Sequence, residues 1–481
     1  MAKKDIYYKS HSDDEKACDK MPSKANIPRT MPVAKVPDDT GIWRDAPILI
    51  GSTKFEPLPD VKNIMITGGA GFIACWLVRH LTLTYPDAYN IVSFDKLDYC
   101  SALNNTKMLD GRKNFTFYHG DITNAADVMD CLVTHNIDTV FHFAAQSHVD
   151  LSFGNSYAFT HTNVYGTHVL LESAKTVGIK KFIHISTDEV YGEVTDDAED
   201  LLETSILAPT NPYAASKAAA EMLVHSYQKS FKLPIITVRS NNVYGPHQYP
   251  EKIIPKFSCL LQRGQPVMLH GDGTPTRRYL YAGDAADAFD TILHKGVVHQ
   301  IYNVGSNDEI SNMTLCHKLL TYLNIPHKTH EQLHQWVKHT QDRPFNDHRY
   351  AVDGTKLRQL GWDQKTSFAD GLAITVDWYG RFGETWWGDI TQVLTPFAAT
   401  PESESEPEAE AGWTPTKRKA DEDGVLLEDT GHNAQGSCSG KNGSSPAPKG
   451  WDMLGSENGE GPLAKRRKMM GQQQQVNGVC C

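Results

Sequence analysis

The chain has 481 residues, 40% of them hydrophobic, and a formal net charge of -11 at pH 7. Its length could hold up to three average domains, but hydrophobic residues thin out at both ends, so we expect one large domain. The acidic balance argues against a general binder of nucleic acid or of anionic membranes, because both need a basic surface.

The N-terminal residues 1–58 are predicted to form a polar arm that is punctuated by prolines and has only short apolar clusters such as Ile48 to Ile50. The first 20 residues, MAKKDIYYKSHSDDEKACDK, contain no apolar stretch that could serve as a secretory signal. Nine cysteines lie along the chain without paired spacing, which fits reduced thiols. No run approaches the roughly 18 apolar residues of a membrane span. We therefore expect a cytoplasmic protein and no membrane partner.

Residues 59–396 are predicted to form one α/β domain. Strand-like and helix-like segments alternate from Val61 as VKNIMIT, FIACWLVRHL, NIVSFD, NFTFYHGDI, IDTVFHFAA, KKFIHIS and LPIITVRS. This alternation is typical of parallel strands joined by crossover helices, a Rossmann-type doubly wound sheet. It runs through about 61–240. The alternation weakens after Ser240, which predicts a smaller C-terminal substrate-binding lobe, mainly 241–380.

The turn after the first strand has the composition of a dinucleotide site. In MITGGAGFIA a strand ends at Thr67 and a helix begins near Gly71, which gives the spacing Gly68, Gly71, Ala74. Small residues there let the backbone and the helix N-terminus approach a pyrophosphate. Asp95 closes the next strand, where a carboxylate binds the adenosine ribose and selects NAD over NADP. An ordinary tight turn and loop acid is the alternative.

Two further strand ends are candidates for cofactor contacts. Asp121 and Ile122 end the third strand and are placed to flank adenine, whereas Ala144, Ala145 and Gln146 end the fourth and are placed near the phosphates and the nicotinamide ribose. On the residues alone, turn formation and close packing explain these positions equally well.

The segment NPYAASKAAAEMLV supplies a candidate catalytic pair. Asn211 is the predicted helix cap and Pro212 lies in the first turn, where a missing amide costs little. Tyr213 and Lys217 are then four residues apart on one helix face. A nearby ammonium and a positive nicotinamide would favour the phenolate, which makes Tyr213 a usable base.

A second cluster, STDEVYG, follows the strand FIHIS. Because ligands bind at the carboxyl ends of parallel strands, Ser186, Thr187, Asp188 and Glu189 are expected to face the crevice. An elimination needs one protonated carboxyl to help a hydroxyl leave and one ionised carboxyl to take a carbon-bound proton. The pair therefore predicts elimination chemistry, although an Asp-Glu pair is usually a solvated loop feature.

These motifs resemble the extended short-chain dehydrogenase/reductases and, within them, the 4,6-dehydratases of UDP-glucose and dTDP-glucose. The resemblance covers about Val61 to Tyr379 and rests on TGGAGFIA, FDKLDYCSAL, HFAAQSHVDLSF, TNVYGTHVLLE, STDEVYGE, NPYAASKAAAE, NNVYGPHQYPEKIIPKF, RRYLYAGDAADA, YNVGS and DRPFNDHRYAVD. It places Phe72 and Ile73 at the cofactor with the glycine turn. STDEVYG is the most specific motif, because sister epimerases and decarboxylases lack its Thr-Asp-Glu combination.

The resemblance implies a dehydration that proceeds through transient oxidation of sugar carbon 4, with tightly bound NAD taking the hydride and returning it to carbon 6. Tyr213 would remove the proton of the 4-hydroxyl, with Thr187 holding the oxygen and Lys217 the cofactor ribose. Glu189 would then take the carbon 5 proton while Asp188 protonates the departing 6-hydroxyl. No metal ligands are implied.

The resemblance also implies substrate-binding residues in the second half of the chain. Arg277 is expected at the diphosphate, because a guanidinium fork suits phosphate oxygens. The other implied contacts are Asn242, Lys252, Pro255, Arg343, Asn346 and Tyr350. Asparagine at position 346 resembles the first domain of plant rhamnose synthases and favours UDP. VDLSF and RSNNVYGPHQYPEK are similar to the animal dTDP-type enzyme, so uracil and thymine both remain open as the nucleobase of the substrate.

Two other functions fit parts of the sequence, and the sequence also indicates partners. A UDP-sugar 4-epimerase or decarboxylase of the same superfamily is one rival, and a non-catalytic NAD-binding regulator is another. The family resemblance implies a homodimer. A downstream reductase and epimerase would act in trans, since residues 397–481 are too polar to form a second such domain.

The composition of residues 397–481 predicts a disordered tail, with PESESEPEAEAG, GSCSGKNGSSPAPKG and QQQQ. Basic clusters at Lys417–Lys419 and Lys465–Lys468 resemble short nuclear-import signals, and Cys480 with Cys481 resembles lipid-modified C-termini. We favour the simpler interpretation of solvated charge and chance cysteines.

Overall fold

The computed structural model describes residues 55–342 and 345–395. Its strands are β1 (Asn63–Thr67), β2 (Asn90–Asp95), β3 (Phe115–His119), β4 (Thr139–His142), β5 (Lys181–Thr187), β6 (Ile235–Ser240), β7 (Asn242–Tyr244), β8 (Val267–His270), β9 (Thr276–Tyr281), β10 (Ile301–Val304), β11 (Glu309–Ser311) and β12 (Val337–Thr340). Its α-helices are α1 (Phe72–Thr84), α2 (Ala125–Thr134), α3 (Val149–Gly154), α4 (Ser156–Phe159), α5 (Gly166–Val177), α6 (Pro212–Phe231), α7 (Ile253–Gln262), α8 (Ala282–Lys295), α9 (Asn312–Tyr322), α10 (His330–Trp336), α11 (Thr355–Arg358), α12 (Phe368–Phe382) and α13 (Thr391–Leu394). Short 3-10 turns span Leu103–Asn105, Lys107–Leu109 and Asp188–Tyr191, and a π-helical turn spans Thr160–Tyr165.

The core is a seven-stranded sheet of order β10-β6-β5-β4-β1-β2-β3, in which every neighbouring pair is parallel. Helices connect most successive strands, whereas two short 3-10 turns lie between β2 and β3. The helices cover the sheet, so its central strands are buried and apolar, as Ile64, Met65 and Ile66 of β1 show with 0% exposure. This architecture confirms the predicted doubly wound α/β fold.

The chain after Ser240 contributes to both the core and the crevice. Strand β10 returns to the main sheet beside β6, and α8 packs against α1, where the buried His80 and Asp290 side chains are 2.8 Å apart. Strands β7, β9 and β11 form one small sheet, and β8 and β12 form another. The second half of the chain thus builds part of the sheet as well as a lobe beside it.

The two ends of the domain bear on the predictions for the arm and the tail. At the end of the predicted arm, the amides of Phe55 and Leu58 donate to the hydroxyls of Tyr85 and Tyr89 at 3.0 and 2.8 Å. Residues 1–54 and 396–481, which hold the rest of the arm and the whole tail, lie outside the described residues. Across the part that is described, no helix combines the length and apolar character that crossing a bilayer requires.

The strand order sets the position of the site. The order reverses between β1 and β4, because the chain builds outward to β2 and β3 on one side and to β5 and β6 on the other. Ligands of doubly wound sheets bind in the crevice at the carboxyl ends of the strands at such a point. A cavity of about 420 Å³ opens there.

Candidate active site

The glycine turn between β1 and α1 borders this cavity. Gly68 has a φ of +69°, and a Cβ atom added to it would lie 3.0 Å from the main-chain nitrogen of Ala144. Gly71 is the N-cap of α1, and no side chain caps the helix there. Gly71, Phe72, Ile73 and Ala74 all line the cavity. The helix N-terminus therefore presents free amides to it, which suits a phosphate group.

Asp95 lies at the end of β2 and is held by the backbone of the same region. Its Oδ2 atom accepts a hydrogen bond from the Ala70 amide at 3.0 Å, and its Oδ1 atom accepts one from the Leu97 amide at 2.7 Å. Burial raises the pKa of its carboxyl above the usual value. A small cavity of about 60 Å³ adjoins it. Asp121 and Ile122, predicted to flank adenine, also line that cavity, together with the residues predicted near the phosphates and the nicotinamide ribose: Ala144, Ala145 and Gln146.

Helix α6 positions the predicted tyrosine and lysine. The Asn211 side chain caps the helix by accepting the Ala214 amide at 2.9 Å, and Pro212 occupies its first turn, as predicted. Tyr213 and Lys217 both line the main cavity. The Lys217 ammonium donates to the main-chain oxygen of Ile185 at 2.6 Å.

Burial shifts the pKa values of both members of this pair. Burial lowers the pKa of Lys217 to about 8, and the negative charge of Glu221 opposes that shift. Burial, followed by the charge of Glu189, raises the pKa of the Tyr213 phenol, while a hydrogen bond from Thr187 opposes the rise. Burial and carboxylate charge thus favour the phenol in the protein without cofactor. The predicted phenolate, which depends also on the positive charge of the nicotinamide, stays a prediction.

Both carboxyls of the pair are buried, with 2% of Asp188 and 9% of Glu189 exposed. The expectation that Asp188 faces the crevice is wrong: it does not line the cavity, because its carboxyl is turned toward Asn241. Its Oδ2 atom accepts a hydrogen bond from Asn241 Nδ2 at 2.6 Å, and its Oδ1 atom accepts one from Thr187 Oγ1 at 3.2 Å. Burial, followed by the charge of Glu189, raises the pKa of Asp188 to about 7. Asp188 can therefore hold a proton near neutral pH, as a general acid must.

Glu189 faces the cavity directly. Its Oε2 atom accepts a hydrogen bond from Asn211 Nδ2 at 3.2 Å. Burial raises the pKa of its carboxyl, and the positive charges of Arg277 and Lys252 oppose the rise. Two adjacent carboxyls thus have different surroundings, a condition that lets one act as an acid and the other as a base.

The structure brings most of the predicted substrate contacts to the same cavity: Asn242, Lys252, Arg277, Asn346 and Tyr350. The Arg277 guanidinium lies 4.7 Å from the centre of the Tyr350 ring and donates to the main-chain oxygen of Asp347 at 2.9 Å. Pro255 does not line the cavity, because the first turn of α7 buries it. Arg343 lies outside the described residues.

Sequence reasoning missed two polar residues of the site. Asn241, which holds Asp188, directly follows β6, the neighbour of β5 in the sheet. The argument from strand ends that selected Asp188 could have found it. Glu251 lines the cavity and accepts a hydrogen bond from the Tyr99 hydroxyl at 2.7 Å. No local spacing signals that contact, which joins residues distant in the chain.

Comparison with known proteins gives the same family at the level of sequence. A family model described as GDP-mannose 4,6 dehydratase matches residues 65–375. One relative is the Arabidopsis thaliana trifunctional UDP-glucose 4,6-dehydratase/UDP-4-keto-6-deoxy-D-glucose 3,5-epimerase/UDP-4-keto-L-rhamnose-reductase, to which the chain is 51% identical over 337 residues. The match covers 70% of this chain and 49% of that protein. It is 46% identical over 340 residues to the mouse dTDP-D-glucose 4,6-dehydratase, covering 71% of this chain and 94% of that protein.

A solved structure is similar over the same region. DesIV, a dTDP-glucose 4,6-dehydratase from Streptomyces venezuelae solved with NAD bound, gives a TM-score of 0.63 at 38% identity and covers 68% of this chain and 98% of its own. The chain spans about half the length of the plant relatives and nearly the whole length of the mouse relative.

Proposed function

Since the chain belongs to the nucleotide-sugar 4,6-dehydratase family of the extended short-chain dehydrogenase/reductases, we propose that it converts dTDP-glucose or UDP-glucose to the 4-keto-6-deoxy nucleotide sugar. One observation carries this proposal: Thr187, Glu189 and Tyr213 line one cavity, and Asp188 lies directly behind it, hydrogen-bonded to Thr187 in surroundings that differ from those of Glu189. Epimerases and decarboxylases of the superfamily need the tyrosine but not the carboxyl pair. An NAD-binding regulator would need neither.

NAD is the cofactor that the dinucleotide end of the site fits. A Cβ atom at Gly68 would crowd the main chain of Ala144 at 3.0 Å, the start of α1 offers free amides, and Asp95 is placed to accept hydrogen bonds from ribose hydroxyls. NAD supplies the hydride acceptor for the sugar and later the hydride donor. Because the hydride is returned, the cofactor need not leave between turnovers.

The residues of the chain supply the proton transfers. Tyr213 takes the proton of the sugar 4-hydroxyl, whose oxygen Thr187 holds by a hydrogen bond. The resulting 4-ketone acidifies the carbon 5 proton, which Glu189 removes. Asp188 gives its proton to the 6-hydroxyl, which leaves as water, and Glu189 returns its proton to carbon 5. Arg277 and Lys252 neutralise the diphosphate, as their position at the cavity allows.

Turnover without added cofactor tests the proposal. The purified full-length chain, given UDP-glucose or dTDP-glucose alone, should yield a nucleotide sugar lighter by one water in the mass spectrum. Asp188→Asn combined with Glu189→Gln should retain NAD but lose elimination, since each acid-base role contributes about 100-fold to 10,000-fold. Tyr213→Phe should stop the initial oxidation. An unchanged mass with inverted carbon 4 would instead identify an epimerase.

The proposal extends to the partners and the cellular location of the protein. The isolated chain should stop at the 4-keto-6-deoxy product, with an epimerase and a reductase acting in trans in the cytoplasm. A rhamnose nucleotide formed by this chain with NADPH alone would contradict that. The protein is proposed to be a homodimer, supported by apolar side chains exposed on neighbouring helices, among them Met222 and Phe231 of α6 and Tyr165. Sedimentation should then give twice the 53.5 kDa chain mass.

A further inference from the structure

The loop of residues 96–102 connects β2 to the first 3-10 turn and borders both cavities of the site. Its Cys100 and Ser101 line the main cavity and also the small cavity beside Asp95. Gly68 of the glycine turn lines both cavities as well. A dinucleotide with its pyrophosphate at the glycine turn and its adenosine ribose at Asp95 therefore passes beside this loop, which we call the cover loop.

Several contacts fasten the cover loop to the cofactor half of the domain. The Ala102 amide donates to the main-chain oxygen of Ala70 at 3.1 Å. Gln146 Nε2 donates to Asp98 Oδ2 at 2.9 Å. Leu97 has a φ of +57°, in the left-handed region that non-glycine residues rarely adopt. Such a conformation persists only where neighbouring contacts hold it, so losing a contact favours a change in the shape of the loop.

A tyrosine joins the cover loop to the second half of the chain. The Tyr99 hydroxyl donates to Glu251 Oε2 at 2.7 Å, across 152 residues of sequence. The Tyr99 ring packs edge-on against Tyr249, with 5.6 Å between the ring centres. Burial raises the pKa of Tyr99, so its side chain stays a phenol and can donate. A hydrogen bond from a hydroxyl to a carboxylate is among the stronger ones in proteins.

Glu251 lies in the segment that leads into α7 and is a fixed anchor for this bond. The neighbouring Lys252 donates to the main-chain oxygen of Ser147 at 2.6 Å, just beyond the end of β4. Burial raises the pKa of Glu251, and the positive charge of Lys252 and the bond from Tyr99 oppose the rise. The segment is thus tied to the cofactor half by one residue and to the cover loop by the next.

We propose, on the basis of the function proposed above, that the hydrogen bond between Tyr99 and Glu251 is the latch that keeps NAD in the protein between turnovers. While the bond is formed, the cover loop stays beside the pyrophosphate and the adenosine ribose and blocks the exit of NAD. Both are positioning residues, because they act on NAD through the loop. The reaction needs such retention, since the hydride taken from carbon 4 must return to carbon 6 of the same sugar.

The rate of NAD release from the full-length chain tests the latch. Tyr99→Phe removes the hydroxyl and keeps the ring against Tyr249. Each protein is loaded with radiolabelled NAD and mixed with excess unlabelled NAD, and the label still bound is followed over time without sugar nucleotide. Tyr118→Phe is the matched control, because the Tyr118 hydroxyl donates to Asp130 at 2.6 Å in an exposed pair that lines neither cavity.

We expect Tyr99→Phe to release NAD about 10-fold to 100-fold faster than the wild type, since the lost bond involves a carboxylate. The control should release NAD at the wild-type rate. During long incubations with nucleotide sugar, Tyr99→Phe should lose activity as NAD leaves, and added NAD should restore that activity, which it would not do for a misfolded variant. Glu251→Gln, which keeps an acceptor oxygen without the charge, provides the same comparison if Tyr99→Phe cannot be loaded with NAD.

Release of NAD from Tyr99→Phe at the wild-type rate would overturn the latch. Equal acceleration in Tyr118→Phe would overturn it too, because that result would show a general loosening of the fold. Both results are distinct from failure of the proposed function, since NAD release is measured without turnover. In that failure the wild-type protein would hold NAD and yet release no water from either nucleotide sugar.

Discussion

Replacing Asn241 by leucine should move the alkaline limb of the pH–rate profile upward. Asn241 Nδ2 donates to Asp188 Oδ2 at 2.6 Å and lowers the pKa of that carboxyl against the larger effects of burial and Glu189. A hydrogen bond to a charged group contributes about 1.5–3 kcal/mol. Since one pKa unit corresponds to about 1.36 kcal/mol, its loss should raise the pKa of Asp188 by about one to two units.

The alkaline limb moves to higher pH because Asp188 acts as an acid. The wild-type rate should fall as the pH rises above about 7, because Asp188 ionises and can no longer protonate the leaving hydroxyl. The donor favours the ionised form, so removing it keeps Asp188 protonated to higher pH. The variant should therefore stay active about one to two pH units further into the alkaline range.

The assay is kcat across the pH range at saturating substrate, with NAD content and denaturant unfolding measured on each protein. Asn241→Leu also deprives the Ser306 amide of its acceptor, so some loss of stability is expected. Asn114→Leu, which removes a buried side chain bonded to the Thr82 and Tyr89 carbonyls, is the matched control. An alkaline limb at the wild-type pH in a folded, NAD-containing Asn241 variant would refute the reasoning.

Three further predictions concern stability, cofactor and tail. Glu221→Gln should lower the free energy of unfolding by about 3–5 kcal/mol, because the buried Arg239 guanidinium, 2.6 Å from Glu221, would lose its counter-charge. The control Lys107→Gln, in the exposed pair with Asp110, should lower it by at most about 1 kcal/mol. Equal losses in the two variants would contradict the burial argument. Gly71→Val should prevent NAD binding, so that denaturing the purified variant releases no NAD. The control Gly154→Ala, whose added Cβ atom has no neighbour within 4 Å, should keep the wild-type NAD content. An unchanged NAD content in Gly71→Val would count against the glycine turn as the cofactor site. Deleting residues 397–481 should leave turnover and solubility unchanged, and lost activity would show that the tail belongs to the fold.

Local patterns along the chain were sufficient to predict the main sheet and several site residues. Alternating strands and helices gave the doubly wound fold, because hydrophobic periodicity is a property of neighbouring residues. The spacing of Gly68 and Gly71 gave the turn, and the four-residue spacing of Tyr213 and Lys217 gave a shared helix face, confirmed by their common cavity. Helix geometry makes such spacings readable without a tertiary structure.

The tertiary structure decided what depends on burial and on contacts between distant residues. Asp188 and Glu189 are adjacent in sequence, yet only the packing of Asn241 and Ser306 shows that the first is buried and the second faces the cavity. Burial and the charge of Glu189 likewise raise the pKa of Tyr213 in the absence of cofactor, which the spacing of Tyr213 and Lys217 does not show. Protonation states follow the solvent and charges around a group in space, and the order of residues in a chain specifies those surroundings only through the fold.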